Sequence, residues 1–596
     1  MHENTIFRML ESSVSRFPDR LAVSIGRDPD ARSLTYARLR EAARAVRRGL
    51  SALGCNKGDR VAILSENRPE WAVVDLAAQC MGVLTVPIYT SLPAPQVEHI
   101  LRDSGARVLI ASDARQLAKA LEARSQCADL LHLVVMDGPA PEGAIDLHRL
   151  VELGVSEGLS DEALDAVGNS VLPDDDASVI YTSGTTGEPK GAVLTQRAAL
   201  HTARVAPLIT PLYETDVFLS FLPLCHVMER IGGHYLALSL GAHTVYSEGV
   251  SRVAQELRET RPTVFLCVPR LFERLRERVM EAASRVRGPR RVVWEWALRV
   301  GTEHARMASG AEGAPMGMRL QRMLADVLVM RRVRRQATGG RLRFVVSGGA
   351  PLDESTALFL EAIGLMVLEG YGLTECPVVS LNRPERRRPG TVGLPLEGIE
   401  VRCAPDGELL VRGPSLMRCY LGRPEATAEA IDADGWLHTG DIGSIEPNGV
   451  VRITDRKKDI IVLASGKNVA PQPIEAQLAR NPYIAEIALV GDRQAGIGAL
   501  VVPHIERLRE WAQQHGVHAP DDHALVTAPS VRRLIREEID RSSAGLADFE
   551  RVKRFILSER PFSVEGGELT PTLKVKRRVI AERYRAGMEA RAAARL

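Results

Sequence analysis

The chemistry of this chain is concentrated in eleven residues, 181–191, reading YTSGTTGEPKG, with three glycines, four Ser/Thr hydroxyls and Lys190. The apolar run 177–180 leads directly into it, the pattern of a buried strand opening into a loop. Glycines let a backbone approach a bulky anion, hydroxyls and free N–H groups donate to its oxygens, and a lysine neutralises it. A polyphosphate requires that combination. The order is not that of a Gly-Lys-Ser/Thr phosphate loop, because Pro189 precedes Lys190 and Gly191 follows it.

Two further segments carry matching chemistry. In LEGYGLTE, 368–375, Tyr371 offers a flat ring for a flat base. Thr374 offers a hydroxyl for a phosphate oxygen, and Glu375 a carboxylate for a hard cation. WLHTGD ends on Asp441; a lone Asp in a turn caps its own backbone, but a carboxylate also accepts from a pair of hydroxyls. His226 follows an apolar strand in FLSFLPLCHVMERI, where core packing and a ligand role both remain open. Lysine usage points the same way. Nine lysines stand among 77 basic residues, yet Lys190, Lys457, Lys458, Lys467, Lys574 and Lys576 fall in three short segments. Arginine does not replace lysine where a compact, flexible point charge is needed.

These segments together resemble the adenylate-forming enzymes: acyl- and aryl-CoA synthetases, luciferases and the adenylation domains of peptide synthetases. The resemblance runs along nearly the whole chain and is strongest to the long-chain fatty acyl-CoA synthetases. It implies that Thr182, Ser183, Gly184, Thr185, Thr186, Gly187 and Lys190 hold the β- and γ-phosphates of ATP. Ser347, Gly348, Gly349 and Ala350 would border the adenine, and Glu369, Gly370, Tyr371 and Gly372 would wrap the nucleotide, with Tyr371 stacked on the base. Thr374 would contact the α-phosphate, and Glu375, with Thr185, would hold Mg²⁺. Asp441 would grip the ribose hydroxyls, and Arg456 the ribose or a phosphate. His226 would position the acyl substrate beside Glu229 and Arg230; some bacterial relatives carry a tryptophan gate where this chain has Arg230.

The same resemblance implies two domains, 1–457 for adenylation and 458–596 as a mobile lid, pivoting at Lys458. Lys574 would close over the carboxylate during adenylation, and Gly466 and Lys467 would line a CoA channel after rotation. The implied reaction joins a fatty acid to CoA through an acyl adenylate, with ATP, Mg²⁺ and CoA as reactants and cofactor. An acyl-AMP ligase serving a carrier protein, or a nucleotide-binding relative without activity, are the alternatives. The retained lysines, Glu375 and Asp441 argue against the last.

The elements that must position these residues are readable from pattern. Strand-like runs at 60–64, 83–88, 108–111 and 131–136 alternate with amphipathic stretches at 36–53 and 96–102, which predicts α/β layers around a mostly parallel sheet. A helix is predicted near 196–206, a strand entering a helix at 262–273, and another helix near 354–363. Beyond residue 458 the pattern predicts a compact α+β unit, so the fold class is α/β with a large multi-subdomain first domain. An arginine-rich helical region, 281–335, holds about a dozen arginines against five acids, with Trp294 and Trp296 among them. A solvated helix face and an anionic membrane surface are both compatible with that composition.

Bulk properties narrow the class. At 596 residues and a formal charge of +2, the chain exceeds one core and has no global electrostatic case for nucleic acid. The N-terminus shows no signal-peptide pattern, and the longest apolar run, 71–89, is broken by Asp75 and Gln79. Eight scattered cysteines without a CxxC pair predict neither a zinc site nor a disulfide framework. The expectation is a cytoplasmic enzyme, with peripheral membrane attachment and oligomeric state open.

Overall fold

The computed structural model describes residues 4–26, 32–182, 189–308, 315–465, 467–563, 565–569 and 575–593. Two large sheets carry most of the chain. One has eight strands and contains Arg60–Leu64, Leu84–Ile88, Val108–Ala111 and His132–Val135, paired parallel. The other has nine strands, with a parallel centre that includes Val217–Ser220, Val264–Cys267, Phe344–Ser347 and Met366–Leu373. The predicted alternation therefore stands, and both sheets end in antiparallel hairpins at one place. That place is the site.

In the eight-stranded sheet, Asp176–Tyr181 pairs antiparallel with Gly191–Thr195, Tyr181 opposite Gly191, and the Thr182 N–H donates to the Lys190 carbonyl at 3.0 Å. The strand Gly191–Thr195 escaped the pattern reading, because it directly abuts the helix Gln196–Ile209. The Thr195 hydroxyl caps that helix by accepting from the Ala198 N–H at 3.2 Å. The helix buries mostly small residues, among them Ala198, Thr202, Ala203 and Ala206. Small side chains leave space beside it.

In the nine-stranded sheet, Met366–Leu373 turns back into Cys376–Leu381 with Leu373 opposite Cys376. Thr374 and Glu375 are the two residues at that tip. Gly372 is required there, because a Cβ would meet the Pro377 carbonyl oxygen at 2.0 Å. A four-stranded antiparallel sheet supplies the third hairpin, Leu437–Ile445 against Val451–Arg456, which places Asp441 directly opposite Arg456.

The apolar run 71–89 divides into the buried helix Pro69–Gln79 and the strand Leu84–Ile88. Its Asp75 is ion-paired rather than solvated: Arg230 donates to Asp75 at 2.5 Å and to the Tyr235 hydroxyl at 2.9 Å, and Tyr235 donates to Asp75 at 2.7 Å. Arg230 also lies over the Trp71 ring. This buried network ties the wide helical turn Arg230–Tyr235 to the helix Pro69–Gln79.

The arginine-rich region forms the helices Pro289–Ala308, Met316–Ala325 and Arg331–Thr338. Trp294, Trp296 and Leu298 pack inward with Val300 against Phe265, Phe272 and Leu360. Both tryptophans are half-buried, with part of each ring taken up by this cluster. Residues after 458 build a three-stranded sheet of Ile484–Val490, Ile497–Pro503 and Val552–Leu557. Its own apolar cluster includes Ile474, Leu489, Val501, Ile535 and Ile539. Arg577 holds the last helix there through a two-pronged pair with Glu475 at 2.6 and 2.8 Å. Arg480 donates to Asp353 at 2.8 Å, and Arg270 pairs with Glu486, joining this unit to the rest.

Candidate active site

One cavity of about 540 Å³ opens where the three hairpins meet. Of the predicted site residues it is lined by Thr182, Lys190, His226, Ser347, Gly348, Gly349, Gly370, Tyr371, Gly372, Thr374, Glu375, Asp441, Arg456 and Lys458. Residues scattered over nearly 280 positions of sequence thus share one wall.

At the polar end, the Tyr371 hydroxyl donates to Asp441 at 2.6 Å, and Arg456 approaches the other Asp441 oxygen at 3.3 Å. Burial, with Asp441 beside it, holds the Tyr371 hydroxyl protonated well above its ordinary range. The Asp441 carboxylate is therefore oriented from two sides before any ligand arrives. Tyr420 was not anticipated. It lies on Cys419–Tyr420, paired with the strand after the phosphate loop so that Tyr420 faces Ala192. Its hydroxyl donates to Glu375 at 2.5 Å, and the Lys190 ammonium stands 5.2 Å from its ring centre. No local motif marks Tyr420; only the cross-strand register brings it there.

Glu408 was missed as well. Its carboxylate accepts from the Gly440 N–H at 2.8 Å and from Lys457 at 2.9 Å. Burial alone would raise its pKa, but Lys457 and the Gly440 N–H bring it below the ordinary carboxylate range. The pair thereby ties Lys457, the residue before Lys458, to the four-stranded sheet. Asp455, in the strand Val451–Arg456, accepts from the Gln472 N–H at the start of the helix Pro471–Leu478. Burial lifts its pKa to about 6.

At the other end the cavity is apolar. Ala206 and Leu212 face Phe218, Val264, Leu266 and Phe344. His226 also lines the cavity and caps a short helical turn, its Nδ1 accepting from the Met228 N–H at 3.2 Å. Gly232, in the wide turn anchored by Arg230, lies on the wall where a Cβ would come 3.4 Å from Leu266.

Other residues singled out from the sequence lie off this wall. Arg230 is not on the cavity wall; it is buried in the Asp75 network, so it replaces a gate with an anchor. Glu229 is buried too, and burial raises its carboxyl to about 8 despite a hydrogen bond from Ser220. Glu369 turns away from the cavity: its carboxylate accepts the Gly390 N–H at 2.9 Å, and burial pushes its pKa to about 8. Ala350 is not on the wall either. Lys467 lies over the Phe549 ring in the C-terminal unit, away from the cavity. Ser183, Gly184, Thr185, Thr186, Gly187, Gly466 and Lys574 lie outside the described residues.

A magnesium ion fits the donors present. Among the described residues no group of three metal-binding side chains occurs, and Glu375 offers one carboxylate at the cavity. Mg²⁺ takes one or two carboxylates and completes its octahedron with water and phosphate oxygens.

Comparison with known proteins agrees with this geometry. Residues 10–421 match the AMP-binding enzyme family, and residues 458–590 match the AMP-binding enzyme C-terminal domain. The long-chain-fatty-acid–CoA ligase FadD15 of Mycobacterium tuberculosis is 36% identical over 94% of this chain and 92% of that protein. Long-chain-fatty-acid–CoA ligase 1 of Cavia porcellus is 33% identical over 89% of this chain and 78% of its own. The adenylation domain of the carboxylate reductase from Mycobacterium chelonae superposes with a TM-score of 0.74 at 24% identity, covering 99% of this chain and 91% of that one. The anthranilate CoA ligase AuaEII, solved with anthranoyl-AMP, gives 0.70 at 21% identity, covering 99% and 98%. The matches take in both the phosphate hairpin and the C-terminal unit, and the chain belongs to the AMP-binding enzyme family.

Proposed function

We propose that this protein activates a long-chain fatty acid with ATP and transfers the acyl group to CoA. The observation that carries this is a single cavity that joins a polar end (Lys190, Glu375, Asp441) to an apolar end (Ala206, Phe218, Leu266). A nucleotide fits the first and a hydrocarbon chain the second. The named relatives with this family match are long-chain-fatty-acid–CoA ligases.

In the first half-reaction a carboxylate oxygen attacks the α-phosphorus of ATP and pyrophosphate leaves. Charge develops on phosphate oxygens, so the work is positioning and electrostatics without a protein nucleophile. Lys190 and the hydroxyls of Thr182 and Thr374 meet phosphate oxygens, Asp441 and Arg456 hold the ribose, and His226 orients the carboxylate. Thr185 belongs to the same phosphate loop. Bound at Glu375, Mg²⁺ supplies charge neutralisation for the leaving pyrophosphate. In the second half-reaction the CoA sulfur attacks the acyl carbon, its proton passes to solvent, and AMP leaves.

The division at Lys458 belongs to this proposal. Residues 458–596 act as a lid that pivots there, bringing Lys574 to the carboxylate first and the loop of Gly466 and Lys467 to the thiol afterwards. Two faces for two half-reactions require a two-domain chain. The protein works on the cytoplasmic side, in a reducing compartment where its eight cysteines stay as thiols, and attaches peripherally to membrane.

The deciding experiment is incubation of the purified protein with ATP, CoA and carboxylic acids from acetate to oleate. Equal amounts of AMP and acyl-CoA, with turnover rising toward long chains, are expected. ADP as the product, or acyl transfer that bypasses CoA, overturns the reading.

A further inference from the structure

We infer that the outer face of the helical rod 316–338 docks on an anionic lipid bilayer. The helix Met316–Ala325 runs through the wide turn Asp326–Met330 into the helix Arg331–Thr338. Along it Met316, Leu320, Met323, Leu324, Val327 and Leu328 are 48–83% exposed. Their spacing of three and four is what an amphipathic helix turns toward a core. Here the core is served by the opposite face, where Ala325 and Met330 are buried against the cluster of Phe265 and Leu360. The outward stripe is therefore surplus to folding. A row of six exposed large apolar side chains marks a contact surface.

Charge identifies the occupant. Residues 315–338 contain six arginines and a single acid, Asp326. Asp326 is taken up by Arg334 at 2.5 Å, with Arg322 and Arg331 beside it. Arg319, Arg331, Arg332 and Arg335 are exposed along the rod. Apolar side chains flanked by arginine match the acyl boundary and phosphate headgroups of an anionic leaflet. A second copy of the chain fits poorly, because a two-fold contact of this face with itself would bring the arginines of the two copies together. Among the described residues no helix is long and apolar enough to cross a membrane, so the rod lies in the plane of the surface.

The location leaves turnover free. These helices cover the face of the nine-stranded sheet that carries Phe265, Cys267 and Val345, whereas the cavity uses the alternating residues Val264, Leu266 and Phe344. Docking thus neither blocks nor completes the site. That it brings the enzyme to membrane-dissolved substrate rests on the fatty-acid reading; docking itself does not.

The test is flotation of the full chain with vesicles of 30% phosphatidylserine in phosphatidylcholine, against pure phosphatidylcholine, at low and high salt. Partition to the anionic vesicles should be at least tenfold higher and should collapse in high salt. L320S/L324S/L328S should lower it tenfold or more, and R331Q/R332Q/R335Q should abolish the preference for anionic lipid. Both variants change exposed positions and should retain wild-type acyl-CoA formation from a water-soluble acid. Equal binding to both vesicle types, no binding, or wild-type partition by either variant overturns the inference. So does a wild-type dimer that the serine variant converts to monomer with vesicle binding unchanged. Flotation succeeds or fails independently of whether acyl-CoA is formed.

Discussion

The Tyr420 hydroxyl donates to the Glu375 carboxylate at 2.5 Å, although the two residues are 45 positions apart, Glu375 at a hairpin tip of the nine-stranded sheet and Tyr420 on a strand of the eight-stranded one. Tyr420 therefore positions the carboxylate assigned to the metal. Tyr420→Phe should lower kcat/KM for MgATP by about tenfold, the worth of one hydrogen bond to a charged group. It should raise the Mg²⁺ concentration needed for half-maximal rate. Steady-state kinetics over a magnesium series checks this; an unchanged magnesium dependence removes the role.

Asp441 is held by Tyr371 and Arg456 from opposite sides. If it reads ribose hydroxyls, the wild-type enzyme should favour ATP over 2′-deoxy-ATP by about tenfold or more. Asp441→Asn should lose most of that discrimination, and Tyr371→Phe should lose part of it. Competition between the two nucleotides in the pyrophosphate-exchange assay is the measurement.

Lys458 follows the strand Val451–Arg456 and is the last cation of the cavity wall. Proline there fixes φ near −65° and stiffens the pivot. Lys458→Pro should retain ATP–pyrophosphate exchange and slow thioester formation by about a hundredfold. Lys574→Ala should do the reverse when acyl adenylate is supplied. Normal overall turnover in the proline variant would end the hinge proposal.

Ala206 lies on the apolar wall between Thr202 and Thr210, each about one helical turn away. Ala206→Phe should obstruct the chain. Activity on palmitate should fall by about tenfold or more while activity on hexanoate holds, since overfilling a packed wall costs roughly 1–3 kcal/mol. Parallel loss on both acids would mean that the cavity's apolar end does not hold the chain.

Glu229 gives a stability prediction. Its folded pKa of about 8 exceeds the ordinary 4.5 because the carboxyl is buried. Below the unfolded value both states hold the proton; above it the unfolded state ionises first. Wild-type stability should therefore fall as pH rises from about 4.5 to about 8, relative to Glu229→Gln, by up to about 5 kcal/mol. Denaturant melts of both proteins at pH 5 and pH 8.5 measure the difference. The gap should open in favour of the glutamine variant.

Local chemistry and local periodicity were readable from the chain alone. The strands at 60–64 and 108–111, the helix from Gln196, and the motifs holding Lys190, Glu375 and Asp441 all express themselves within a dozen neighbouring residues. Such features depend on backbone sterics and on the alternation of apolar and polar side chains, which a sequence displays directly. The family followed from them. What the chain could not display is which side chains face each other across strands distant in sequence. Tyr420 on Glu375 and Glu408 on Lys457 exist only through register. Glu369 sits inside a motif yet turns from the cavity, and Arg230 occupies a gate position yet is drawn into the Asp75 network. Trp294 and Trp296 stood out by composition, but packing half-buries them against the core, while the Leu320 stripe is the apolar face it leaves outward. Periodicity says that a helix has an apolar side; only the tertiary fold decides what that side meets, because burial is a property of the whole arrangement of elements.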